Sequence, residues 1–88
     1  MEIHIASRQA ACEDGTSRRF QYFLLVDQVD SGSFQCENYG VRIVEEGVAS
    51  SAVPGLTTSA VRIDQLMTTL VDNTVGPVGL EDVLRDWL

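Results

Sequence analysis

The apolar residues of this 88-residue chain change their spacing once, near Pro54-Gly55. Before that point they tend to recur every second residue, as on the faces of a β-strand. After it they recur every third and fourth, as along one side of an α-helix. A chain this short supports one hydrophobic core, so the two patterns must share it. Strands first and helices second make residues 1–88 a single α+β domain: an antiparallel four-stranded meander, then one amphipathic helix and a short C-terminal helix packed on one sheet face. Such a domain buries only about 60–65% of the surface its unfolded chain exposes, so dimerisation would add useful burial.

Ile3 and Ile5 alternate with Glu2 and His4, as in a strand with one wet face. Asp14-Gly15 is a hairpin signal. From Arg19 to Val26, Phe20, Tyr22, Leu24 and Val26 share one face while Phe23 and Leu25 share the other, as in a central strand. Asp30-Ser31-Gly32-Ser33 predicts a second turn. A third strand follows over Phe34–Val44, in which Gly40 marks a bulge or a close backbone approach. Glu45-Glu46-Gly47 predicts a third turn. Val48–Val53 reads as a small-residue edge strand stopped by Pro54-Gly55, open to pairing with a partner strand.

Ile63, Leu66, Met67, Leu70 and Val71 form a helical stripe, with Arg62, Asp64, Gln65, Thr68, Thr69 and Asp72 outside it. Thr57 is the expected N-cap, with Thr58 as the alternative; a Thr57 cap places Leu56 and Val61 at the ends of a hydrophobic staple. Asn73, Gly76 and Pro77 supply the stop. Leu80, Val83, Leu84, Trp87 and Leu88 repeat the helical spacing in the last segment, and Glu81 and Asp82 suit a helix N-terminus. Trp87 is expected in the core.

Thirteen acids against six bases give a formal charge of -7. The first 44 residues hold four bases and six acids (-2), and the last 44 hold two and seven (-5). Nucleic acid and anionic membranes both demand clustered cations, so direct binding to either is not expected. All six bases are arginines: Arg8, Arg18, Arg19, Arg42, Arg62 and Arg85. Cys12 and Cys36 lack metal-ligand spacing and read as free thiols. The opening Met1-Glu2-Ile3-His4-Ile5 lacks the regions of an export signal, so a cytoplasmic protein is expected.

Three segments carry a family resemblance: Tyr39-Gly40-Val41-Arg42-Ile43, Leu56-Thr57-Thr58-Ser59, and the ending Pro77-Val78-Gly79-Leu80-Glu81-Asp82-Val83-Leu84-Arg85-Asp86-Trp87-Leu88. Together they resemble a family of small uncharacterised proteins of Gram-positive anaerobic bacteria that ends in P-V-x-L-x-D-V-x-x-D-[FW]-L. The resemblance covers Phe20 to Leu88. It implies the same order of strands and helices and a bacterial origin, and it carries no known activity. Members often have a polar residue where this chain has Gly79.

No catalytic, cofactor-binding or metal-binding set emerges. His4, the single histidine, stands near the N-terminus, a poor platform for a general base. The pairs Glu13/Asp14, Glu45/Glu46 and Glu81/Asp82 fall in expected turns or at a helix start and read as solvated surface. Arg18 and Arg19, adjacent on a strand, point to opposite faces. The expected role is therefore a non-enzymatic protein-interaction or regulatory module acting on another protein or a second copy. The alternatives are an acidic nucleic-acid mimic inhibiting a DNA-binding protein, and a small-ligand binder whose site exists only in three dimensions.

Overall fold

Four strands form one antiparallel sheet in the order β1-β2-β3-β4: β1 over Glu2–Ala11, β2 over Ser17–Ser31, β3 over Phe34–Glu45 and β4 over Ala49–Thr57. The computed structural model describes residues 1–32 and 34–88. Ser33, in the expected second turn, lies outside them. Helix α1 covers Ala60–Asp72, a single 3₁₀ turn covers Pro77–Gly79, and helix α2 covers Leu80–Trp87. The fold is the α+β arrangement that the change of period implies.

β2 pairs with β1 on one side and β3 on the other. This central place explains apolar residues on both its faces. Phe20 and Tyr22 are buried in the core shared with the helices and Val26 is buried further along the same strand, whereas Phe23 and Leu25 are half-buried on the opposite face. Val41 and Ile43 of β3 complete the sheet side of the core. Ile63, Leu66, Met67 and Leu70 of α1 close it, with Leu80 and Leu84 of α2. Trp87 is only half-buried at the core's margin, where the Arg62 guanidinium lies 4.4 Å from its ring centre and Arg62 Nη2 donates to its carbonyl. Leu88, expected on the same stripe, is exposed because it follows the last helical residue.

Three local expectations are corrected. β4 does not stop at Pro54-Gly55. It passes through them as a bulge: Tyr39 faces Thr57 and Val41 faces Val53, so two steps of β3 match four of β4. Gly40 sits opposite the bulge, and a Cβ there would stand 2.5 Å from Pro54 Cα and overlap the Val53 carbonyl oxygen. The N-cap of α1 is Ser59, whose hydroxyl accepts from the Arg62 amide at 3.2 Å. Thr57 still pairs in β4, so it lies too early to cap; the staple is absent and Val61 is exposed. Finally, Asn73 is the C-cap of α1 as expected, but the left-handed residue that follows it is Thr74, not a glycine. Thr74 has φ 48°, its amide donates to the Val71 carbonyl and the Val75 amide to the Leu70 carbonyl. This is a Schellman stop with a β-branched residue in the left-handed position, where glycine is the usual occupant.

Beyond Val26 and Tyr39, β2 and β3 continue as a two-stranded ribbon past the ends of β1 and β4. The molecule is accordingly elongated, 56 × 24 × 16 Å. The register also separates the cysteines. Cys12 follows Ala11, which faces Ser17, while Cys36 faces Val29. Those β2 positions are twelve residues apart, about 40 Å at ~3.3 Å per residue, far beyond disulfide reach. Both thiols are free.

Candidate functional site

Three places bring chemistry-bearing side chains together: the uncovered sheet face beside β1, the margin of the helices, and a groove at the end of β3.

On the uncovered face, His4 Nε2 lies 2.6 Å from Gln21 Oε1, which also accepts from the Ser7 hydroxyl. The imidazole meets Phe23 edge-on with centroids 5.3 Å apart, and Arg42 stands over the same ring at 5.6 Å. Arg42 Nη1 donates to Glu2 Oε1 at 2.8 Å. His4 is therefore surface-facing, as expected, but its platform is firmer than its place in the chain suggests. The Val26 amide donates to the Met1 carbonyl, so pairing reaches the start of β1. Ser7 and His4 meet at 3.3 Å. A nucleophilic relay would need a carboxylate orienting the imidazole, and Glu2 is committed to Arg42 instead.

β1 and β4 are the two edges of the sheet. The bulge and Pro54 interrupt β4, a common protection of edges. β1 has a register shift between His4 and Ala6 but then runs regularly from Ala6 to Ala11. This stretch contains no proline, and Arg8 is its single charge. Arg8 leans towards the helices, donating through Nε to the Val71 carbonyl at 3.1 Å beside Asp72. Its outer main-chain groups lie along an edge with no neighbouring strand among the described residues.

At the helix margin, Leu66, Thr69, Val83, Asp86 and Trp87 line an apolar groove of about 350 Å³. A smaller one, about 180 Å³, lies between β1 and α1 beside Ile5 and Met67.

The third place contains the residue that sequence reasoning misassigned. Glu45 was expected in a solvated turn with Glu46. Glu46 is exposed and pairs with Arg19 at 3.5 Å, but Glu45 is only 6% exposed. The alternation contained the signal: Val41, Ile43 and Glu45 share one face of β3, the face that the helices cover. Arg18 and Arg19 indeed diverge, Arg18 to Glu45 and Arg19 to Glu46. Glu45 Oε1 is shut from solvent without a hydrogen-bond donor, and Arg18 Nη1 stands 3.5 Å from it. The groove beside it, about 280 Å³, is bounded by Phe20, Thr74, Pro77 and Val78. No group of three or more potential metal ligands occurs among the described residues.

The remaining acids are distributed over several elements. Glu13 and Asp14 sit at the β1–β2 turn, Asp27, Asp30 and Glu37 on the ribbon, Asp64 and Asp72 on α1, and Glu81, Asp82 and Asp86 on α2. No helix among the described residues is long and apolar enough to cross a membrane.

An antiparallel meander covered on one face by two helices, with an open edge and a carboxylate-bearing groove, defines a small α+β protein. The chain belongs to a family of unknown function, DUF6514, which matches residues 1–88. No curated protein and no solved structure matches it.

Proposed function

We propose that the chain is a non-enzymatic protein-interaction module of the bacterial cytoplasm, and that β1 takes an extended segment of a partner protein as a fifth strand. The observation that carries this is the uninterrupted outer edge from Ala6 to Ala11, beside an opposite edge broken by Pro54. Main-chain hydrogen bonds supply affinity in such pairing, and side-chain neighbours supply selection. Here the neighbours are His4, Ser7 and Gln9 on one face, and Ile5 and the α1 margin on the other. The charge of -7 favours a neutral or basic partner over a second copy, which would bring another -7.

The test is affinity capture from a bacterial lysate with the unaltered chain and with Gln9→Lys/Ala11→Lys. Both positions are exposed, and added lysines block edge pairing. A retained protein should be lost with the variant, while sedimentation of the chain alone shows a monomer. Equal retention by both proteins, or a stable dimer, contradicts the proposal.

A further inference from the structure

We infer that the groove beside Glu45 binds a small ligand through a primary ammonium group. This site differs from the β1 edge but lies level with it: Glu45 faces Phe20, which faces Arg8 of β1, and the groove opens on the helical side between the end of β3 and the 3₁₀ turn.

A glutamate only 6% exposed normally has donors for its carboxylate oxygens, because a desolvated oxygen without one is unfavourable. Glu45 Oε1 has no hydrogen-bond partner and is shut from solvent with Arg18 beside it, although the glutamate itself lines an open groove. Its nearest cation, Arg18, stands at 3.5 Å without a hydrogen bond, and its side chain is 62% exposed. An arginine so placed is free to swing into water, where its charge is solvated. An ammonium is smaller than a guanidinium and carries three N–H donors around one charge, so it reaches an oxygen that the planar fork does not.

The walls fit the rest of such a ligand. Phe20 offers an aromatic ring to the cation, and Pro77 and Val78 offer apolar surface to an alkyl chain. Val78 is 87% exposed at the groove's rim. A space of about 280 Å³ suits a molecule of amino-acid or diamine size. The chain's negative charge draws cations towards it. Two sources share this chemistry. A free amine needs Glu45 alone. A zwitterionic amino acid places its ammonium on Glu45 and its carboxylate on the released Arg18.

Titration of ¹⁵N-labelled protein followed by amide shifts tests this, using 1,4-diaminobutane, L-leucine and N-acetyl-L-leucine. The expected result is saturable shifts at Glu45, Thr74, Gly76 and Gly79 with the diamine, with leucine, or with both. Binding of the diamine alone identifies a cation site, and binding of leucine alone a zwitterion site. N-acetyl-L-leucine, which lacks the ammonium, should leave these amides unmoved. Glu45→Gln should weaken binding at least about tenfold with the fold retained. The inference is overturned if neither amine gives saturable shifts there, if N-acetyl-L-leucine binds as well as leucine, or if Glu45→Gln binds unchanged. Should that variant fail to fold, the comparison of leucine with its acetylated form decides for leucine. For the diamine, the deciding comparison is with n-butanol, which must not bind.

Discussion

Tyr22 shows how one buried polar atom ties the helical half to the sheet. Its ring is fully buried, and its hydroxyl donates to the Val75 carbonyl at 2.9 Å, just past the end of α1. Burial pushes the phenol's pKa above its ordinary 10.0, and Arg8 opposes this only partly. The unfolded chain therefore loses this proton first as pH rises. The stabilisation is fully present below pH 10 and is lost as pH climbs through the raised folded value. Tyr22→Phe should cost about 1 kcal/mol at neutral pH and reduce that alkaline loss, as urea midpoints at pH 7 and above pH 10 will show. Asp14 acts at the opposite end of the scale. Its carboxylate accepts from the Thr16 hydroxyl and amide, which holds its pKa below the ordinary 3.8. Its contribution is present above that value and disappears as pH falls through the lower, folded one. Thr74 is the strained residue. Thr74→Gly relieves a β-branched side chain at φ 48° and should raise stability by about 0.5–1 kcal/mol, despite glycine's greater freedom when unfolded. A thermal midpoint that falls would mean that the Thr74 side chain contributes more than its backbone strain removes.

At the scale of elements, the bulge is the feature on which the path of β4 depends. Gly40 and Pro54-Gly55 are one device on two strands, and neither explains itself alone. Gly40→Ala pushes a methyl group into the β4 backbone and should cost about 2–3 kcal/mol, measurable by urea unfolding. Sequence patterning made the order of elements legible, along with both faces of β2, the stripe of α1 and the anomaly at Gly40. These rest on periodicity, which a single chain displays. It failed where two local signals competed. Pro54-Gly55 reads as a stop, but tertiary pairing carries β4 through it. Thr57 is a competent cap residue, but its ladder partner Tyr39 holds it in the strand. Glu45 belongs to a turn by its neighbours and to the core by its parity, and parity prevailed. The candidate groove was invisible for a different reason: it joins β2, β3 and the 3₁₀ turn, which no spacing in the chain connects.

For the whole molecule, the unequal treatment of its two faces and two edges is the organising fact. One face holds the core, and the other holds half-buried Phe23 and Leu25 beneath polar neighbours. The salt bridges Arg8–Asp72, Arg19–Glu46 and Arg42–Glu2 are largely exposed and add little stability individually. Stability therefore depends on the single core, and the ribbon beyond it has no third strand among the described residues. Amide exchange should be faster at Val29 and Cys36 than at Tyr22 and Ile43, a difference that uniform protection would contradict. The same measurement, made on the chain alone and on its complex with a captured partner, tests the interaction role most directly. Strand addition predicts new protection concentrated in residues 6–11 of β1, with β4 unchanged. New protection confined to β4 or to the helices, with β1 exchanging as in the free chain, would contradict it.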